Sequence, residues 1–432
     1  MTKIAITFDF STFVDFLFQP APSGIARIDL AYARFLTENP HHFSTAIHHR
    51  FGIKTLVSLA TLKRLITTIN RNWNEDNQVP LGPQVEHWLR ASDPTERRIR
   101  APVGRKTRFW HNVAHLVTGW PWQGLTLRVP LNAIYLNTGY GNTDDPAKLA
   151  WLDKRPDITP VFLVYDLIPI DFPEFFWDGL EAAFRRRMDT ILRHAKVVIV
   201  TATEVAERLA AYAQEKGRHD LVIHNIPLPP AHTFLEAPEP PLAQALPPYF
   251  VACSTIEPRK NHILLLNLWR KMAQDALTTG ASVPKLVIVG SRGWKNENVI
   301  DFLERSPALQ GHVLEVSGLS TADLKRLVTH ARALLMPSFA EGFGLPIAEA
   351  LSVGTPVIAS DIPVFREVSQ GCATLIAPLD GVAWQEAIMA LTKDNKAFEL
   401  AKQQASAFPR RGWDDYFADV MKVLEAGVEN RR

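Results

Sequence analysis

With 432 residues the chain is too long for one ordinary hydrophobic core, which stops growing near ~250 to 300 residues, so two domains are expected. A hydrophobic fraction of 47% with 21% charged residues is that of a globular chain and excludes collagen-like, low-complexity and disordered classes. A formal net charge of +2 gives no general electrostatic reason to expect nucleic acid, and two cysteines, Cys253 and Cys372, build neither a disulfide framework nor a zinc cluster.

In chain order, "MTKIAITFDFSTFVDF" lacks the uninterrupted apolar core of a signal peptide. No stretch reaches the ~18 apolar residues of a membrane span. The expectation is a cytoplasmic protein. Strands are predicted at "KIAITFDF", "AIYLNTG", "TPVFLVYDLIPI" and "AKVVIVTA", and amphipathic helices at "GIARIDLAYARFLTE", "GLEAAFRRRMDTILRHA" and "TEVAERLAAYAQEK". "HHFSTAIHHR", the densest group of histidines, reads as a surface loop rather than a metal site. Residues 51–130 follow no regular period and read as an elaboration on the first domain. Within it Arg90, Arg97, Arg98, Arg100, Arg105, Lys106 and Arg108 gather beside Phe109 and Trp110, a composition suited to an anionic membrane surface or to a solvated loop.

The proline-dense stretch 226–250 has no sustained period and is the candidate linker. Beyond it, "YFVACST", "PKLVIVG", "HVLEVSG", "ALLMPS" and "TPVIASD" alternate with helical patterns, the signature of βαβ units. The division expected is a first Rossmann-like domain over 1–228, a linker over 229–248, a second such domain over 249–408, and a C-terminal helix over 409–432 that returns to the first domain. Ligands of such sheets sit at the carboxyl ends of the strands, here in a cleft between two doubly wound domains.

The chemistry concentrates in "MPSFAEGFGLPIAEALSVGTPVIAS". Pro346 suits the first position of a helix and Gly354 suits its end. The amides of Phe343, Gly344 and Leu345 then lie at the helix start, where unsatisfied N–H groups and the macrodipole favour an anion such as phosphate. Glu341 and Glu349 flank that site rather than face each other. Two carboxylates placed this way suit the hydroxyls of sugars on either side of a diphosphate. The second cluster, "CSTIEPRKNHILLLNLW", puts Arg259 and Lys260 after the first strand of the second domain, opening a helix against its dipole. A guanidinium fork and a point charge suit the two phosphates of a leaving nucleoside diphosphate.

"STIEPRKN", the stretch from "SGLSTADLKRL" to "SDIPVFREV", and "VFLVYDLIPIDFPEFF" together resemble the retaining nucleotide-sugar glycosyltransferases of family 4, which have the GT-B fold. Glu341 and Glu349 match that family's E-x7-E motif. The resemblance is strong over 250–370, moderate over 160–204 and weak over 51–130. It implies that Arg259, Lys260 and Glu341 form the catalytic grip on diphosphate and donor sugar. It further implies that Phe343, Gly344 and Leu345 hold sugar and phosphate, Glu349 the ribose, and the backbone of Ser317, Gly318 and Leu319 the base. In the first domain, Gly24 and Arg27 of "SGIARIDLAYARFL" match the glycine loop and helix that face donor and acceptor. Many relatives carry a histidine where this chain has Tyr165, whose hydroxyl could address the donor sugar, and Asp166 follows as a substrate contact or helix cap. An arginine common before the lysine is replaced by Ser254-Thr255.

The implied reaction is metal-independent transfer of a hexose, mannose-like by resemblance, with retention. The acceptor is a glycan or lipid-linked glycan in polysaccharide or lipopolysaccharide synthesis, at the inner face of a membrane. The leaving phosphate is expected to help deprotonate the acceptor, since no dedicated base is visible. No cofactor beyond the nucleotide-sugar co-substrate and no nucleic-acid partner is expected. A GT-B-shaped nucleotide-sugar 2-epimerase and a non-catalytic nucleotide-sugar-binding protein are the alternatives.

Overall fold

The computed structural model describes residues 4–13, 24–50, 53–75, 81–100, 128–240 and 244–429. Its strands, in chain order, are β1 (Ile6–Asp9), β2 (Phe43–Arg50), β3 (Ile53–Val57), β4 (Arg98–Arg100), β5 (Ile134–Asn137), β6 (Thr159–Val164) and β7 (Val197–Val200). They continue with β8 (Val222–Asn225), β9 (Tyr249–Cys253), β10 (Lys285–Val289), β11 (Val313–Ser317), β12 (Ala333–Met336), β13 (Val357–Ser360) and β14 (Thr374–Ile376). Two seven-stranded sheets result, ordered β3-β2-β1-β5-β6-β7-β8 and β14-β13-β12-β9-β10-β11-β4. Every neighbouring pair is parallel except β2 with β3.

The short apolar runs predicted as strands are buried along their whole length in β1, β5, β6, β7, β10 and β12, as expected where helices cover both faces of a parallel sheet. Each sheet reverses its winding once. In the first, the chain passes from β1 to β2 on one side and later to β5 on the other. In the second, β9 lies between β10 and β12. Such a reversal opens a crevice at the carboxyl ends of the two flanking strands. The loops after β9 and β12 are the two singled out by their residues alone, the Arg259-Lys260 loop and the Glu341 loop.

Two expectations are corrected. "HHFSTAIHHR" is not a surface loop: Phe43–Arg50 is β2, with Ala46 and Ile47 buried beside β1 and His48 buried against the Phe10 ring. Three apolar residues in a short segment are enough when a neighbouring strand supplies the ladder. Residues 51–130 do not stay together on the first domain either. The helix Leu59–Glu75 belongs there, but the helix Leu81–Arg90 packs on the second domain and β4 extends the second sheet beside β11. Local charge pairing explains this. Arg98 meets Glu315 at 3.0 Å, Arg326 meets Glu86 at 2.7 Å, and Lys285 Nζ donates to the carbonyls of Trp88 and Ala91 at 2.8 and 2.7 Å.

Arg97 likewise donates to the carbonyls of Leu303 and Ser306, and Arg90 to those of Gln244 and Ala245. These arginines are therefore committed to the second domain and the linker, whereas Arg105, Lys106, Arg108, Phe109 and Trp110 lie outside the described residues. The helix Trp413–Glu429 lies against the first domain, where the hydroxyls of Tyr416 and Tyr32 meet at 2.8 Å. No helix among the described residues is long and apolar enough to cross a membrane.

Candidate functional site

Arg259 and Lys260 do not open the helix that follows them. Pro258–Lys260 is a single 3-10 turn, ended by Asn261 with a positive φ of 55°, and the helix His262–Thr279 starts only afterwards. The Asn261 side chain explains the break, since it donates to the carbonyls of Pro337 and Pro378 at 3.2 and 3.0 Å and so fastens the β9 loop to the β12 loop. Both cations are thereby turned toward Glu341. Lys260 Nζ lies 2.5 Å from Glu341 Oε1, Arg259 Nη1 lies 2.9 Å from Oε2, and Ser338 Oγ donates to Oε1 at 2.8 Å. Arg259 also reaches Glu257 through Nε at 2.8 Å and the Ala340 carbonyl through Nη1 at 2.9 Å.

Burial alone would push the Glu341 carboxyl up, but Lys260 and Arg259 outweigh it and hold the group down at about 2. Burial pushes the Lys260 ammonium down, reinforced by the Arg259 charge and opposed by Glu341. Glu257 is pushed up by burial against the same two cations. Among the described residues, no group of three or more His, Cys, Asp or Glu side chains is arranged to hold a metal ion.

The turn after Glu341 is one place where the two domains touch. A side chain on Gly342 would begin 2.4 Å from the Tyr165 carbonyl oxygen, and the Gly342 carbonyl accepts from Thr201 Oγ1 at 3.0 Å. Gly344 caps the helix Leu345–Ser352 at φ +106°, a conformation that L residues avoid, and Pro346 occupies its first turn as expected. Gly24, the first residue of the helix Gly24–Glu38, stands opposite: a Cβ there would lie 3.7 Å from Leu345 Cδ1. Two helix starts thus face each other across the interface, with Phe343 buried between strand end and helix.

The helix Leu345–Ser352 is buried continuously from Ile347 to Ser352, which carries Glu349 inside with it. Glu349 is 4% exposed and meets Arg27 Nη1 at 3.3 Å; burial pushes its carboxyl up and Arg27 opposes. The two glutamates are accordingly separated, Glu341 with Arg259 and Lys260 of the second domain and Glu349 with Arg27 of the first. Beyond β11, Gly318 and Leu319 line a groove of about 900 Å³ together with Arg27, Phe35, Trp413 and Phe417.

The Tyr165 hydroxyl does not address the site. It donates to the Thr138 carbonyl at 2.7 Å inside the first domain, while the Tyr165 N–H donates to the Tyr140 hydroxyl at 2.8 Å. A strand-end tyrosine surrounded by its own sheet satisfies its hydroxyl there. Asp166 does reach the interface. Its Oδ1 accepts from the Ile168 N–H at 3.1 Å, a local turn ahead of the helix Ile168–Asp171, whose cap residue is Leu167, and burial pushes its carboxyl up against Arg259.

Sequence reading missed a second polar centre at the crevice of the first sheet. Asp29, fully buried, accepts from Thr12 Oγ1 at 2.5 Å and from the Thr138 hydroxyl, and Asp9 accepts from Tyr135 and Asn142 at 2.5 and 3.0 Å. The signal was available: Asp29 shares a helical face with Ala26, Tyr32, Ala33 and Leu36, so an acid stands on a core stripe.

Residues 236–408 match the family model described as glycosyl transferases group 1. The serotype-specific mannosyltransferase WbdA of Escherichia coli is 30% identical over 253 residues, 54% of this chain and 30% of that protein. The O-antigen chain mannosyltransferase RfbU of Salmonella typhimurium is 30% identical over 229 residues, 52% of this chain and 58% of its own length. The chain therefore spans less than two thirds of either relative. Among solved structures, HepE of Anabaena in complex with UDP superposes with a TM-score of 0.58 at 13% identity, covering 98% of this chain and 100% of that one. Sucrose-phosphate synthase from Thermosynechococcus elongatus gives 0.57 at 14% identity, covering 98% and 99%. At these identities the likeness concerns the fold, which is GT-B.

Proposed function

We propose, of a chain that belongs to the glycosyl transferases group 1 family through its residues 236–408, that it transfers a hexose from a nucleoside-diphosphate sugar to a glycan or lipid-linked glycan acceptor. Mannose is the favoured hexose, as in the names of both relatives, and a cell-surface polysaccharide or lipopolysaccharide is the favoured product, in keeping with the O-antigen chain named for one of them. The observation that carries the reading is the ion-paired set of Arg259, Lys260 and Glu341 at the crevice of the second sheet, close to the helix start at Gly344.

Cleavage of a sugar–phosphate bond places negative charge on the departing diphosphate. Arg259 and Lys260 are already fixed in place by Glu341, Glu257 and the Ala340 carbonyl, so they need little reorganisation to receive that charge. Preorganised donors of this kind contribute about 10² to 10³ each to a rate. Glu341 also offers a carboxylate that stays ionised through the neutral range and accepts from sugar hydroxyls. Glu349 serves the ribose once Arg27 yields it. The base extends toward Gly318 and Leu319.

Incubation of the purified protein with a panel of GDP- and UDP-sugars tests this reading, because slow donor hydrolysis requires no acceptor. Release of one nucleotide, with GDP-mannose the preferred donor, is the expected result; a protein that hydrolyses none of them and binds neither GDP nor UDP contradicts it. Lys260→Ala is expected to lower hydrolysis by about 10²-fold or more and to weaken nucleotide binding in a calorimetric titration. Full activity in that variant overturns the diphosphate assignment.

A further inference from the structure

We propose that the loop 172–178 is the platform on which the acceptor glycan lies, its exposed aromatic faces receiving the sugar rings while the attacking hydroxyl reaches the donor sugar at Glu341; the inference rests on the glycosyltransferase reading above. The first observation is exposure. Phe172 and Trp177, both in this loop, are 40% and 49% exposed. Large aromatic side chains turned outward together mark a contact surface, since leaving them in water forfeits the gain of burying them.

These rings are held in place. Phe172 stacks on Phe175 with ring centres 6.1 Å apart, and Phe175 stacks on Phe339 at 5.9 Å and 9°. Trp177 meets Trp294 edge to face at 5.1 Å, and Trp294 Nε1 donates to the Phe175 carbonyl at 2.9 Å. One cluster thus fixes both exposed rings before a ligand arrives, so little side-chain freedom is lost on binding.

The second observation is position. Three loops build the cluster, and each follows the carboxyl end of a strand: 172–178 comes after β6, Trp294 after β10 and Phe339 after β12. Phe339 stands two residues before Glu341, and its N–H donates to the Arg259 carbonyl at 2.8 Å. The cluster therefore adjoins the part of the site assigned to the donor sugar. None of its rings lines the groove at Gly318 and Leu319, to which the base is assigned. An acceptor approaches the anomeric carbon from the sugar side, where these rings stand.

Composition selects the occupant. Glu174 and Asp178 are exposed beside the rings, and Lys295 lies 3.9 Å from Asp178. Aromatic faces receive the C–H faces of a pyranose, and carboxylates accept hydrogen bonds from its hydroxyls. The same carboxylates repel the phosphates of an anionic bilayer, so a neutral glycan fits this surface better than a lipid headgroup does.

The test compares transfer with hydrolysis, using α-mannotriose as acceptor and the nucleotide sugar that the hydrolysis panel identifies as donor. Trp177→Ala is expected to raise the KM for mannotriose about tenfold, the upper end for one aromatic contact, and to weaken mannotriose binding in a calorimetric titration by a similar factor. The ratio of transfer to donor hydrolysis falls accordingly at low trisaccharide. Trp177→Phe keeps a ring and recovers most of the affinity. Because Trp177 also touches Trp294, Phe172→Ala is measured beside it, at the other exposed ring, and is expected to raise the same KM.

Unchanged mannotriose affinity in both alanine variants, or transfer and hydrolysis that fall by the same factor in both, overturns the platform and leaves the glycosyltransferase reading standing. So does a wild-type protein that hydrolyses a donor but does not bind mannotriose, or co-sedimentation with phosphatidylglycerol vesicles that Trp177→Ala abolishes while mannotriose binding persists. A wild-type protein that hydrolyses no nucleotide sugar and binds neither GDP nor UDP overturns both.

Discussion

Glu341 and Asp29 are both buried carboxylates, yet their surroundings send them in opposite directions. Two cations hold Glu341 near 2, whereas Asp29 has the neutral hydroxyls of Thr12 and Thr138 and the like charge of Asp9, so burial prevails and pushes it up to about 7. The folded state therefore binds a proton on Asp29 that the unfolded chain releases near its ordinary 3.8. Its stabilising contribution is present below about pH 4 and is lost as pH rises toward 7, by at most on the order of 4 kcal/mol. Asp29→Asn is expected to flatten the fall in urea midpoint between pH 5 and pH 7.5, about the window named by that shift; an unchanged slope contradicts the assignment. Glu341 has the reverse sign, its contribution being present above the ordinary glutamate range and lost as pH falls toward 2. Glu341, Gly344, Glu349, Arg259 and Lys260 could be singled out individually because they sit in motifs with local physical meaning. That Glu341 would pair with both cations was not, since the partners are 81 and 82 positions away and only packing brings them together.

Between a residue and a domain, the helix Leu345–Ser352 and the helix Leu81–Arg90 show how far local reading extends. The first was read from its proline and flanking glycines. Gly344→Ala imposes a side chain at φ +106° and places its Cβ 2.8 Å from Phe365. A destabilisation of about 1 to 2 kcal/mol from the backbone alone is expected, more if the Phe365 ring does not shift, as a lowered melting temperature. The second helix was assigned to the wrong neighbour. Its capture depends on Lys285, which sits over the Trp88 ring at 4.6 Å and satisfies two carbonyls at the helix end. Lys285→Met leaves both carbonyls without that donor, at about 1 to 3 kcal/mol each. Faster amide exchange across 81–91, with the core strands of the second sheet unchanged, is the expected outcome. β4 could not have been found from periodicity: "RIR" is three residues, and its strand character comes from the ladder that β11 offers.

For the whole molecule, the interface is held at points far apart in sequence. Trp294 Nε1 donates to the Phe175 carbonyl at 2.9 Å and its ring meets Phe176 and Trp177, while Phe175 stacks on Phe339. Elsewhere Glu367 accepts from the Thr203 N–H and from Asn225, and Arg27 meets Glu349. Trp294→Ala removes the aromatic contact without touching either sheet, so small-angle scattering is expected to report a larger radius of gyration at unchanged helix content. An unaltered radius would mean that the remaining contacts suffice to keep the domains together. The sequence by itself determined the α/β alternation that builds two sheets and the helix start at Gly344 and Pro346, because apolar period, proline and glycine act over a few residues. Only the tertiary structure decided which sheet receives residues 98–100, that Tyr165 turns inward while Asp166 packs against Gly342, and that Arg27 reaches Glu349 from the other domain. Those outcomes depend on long-range packing and on which charges must share a buried site, and no local pattern encodes either.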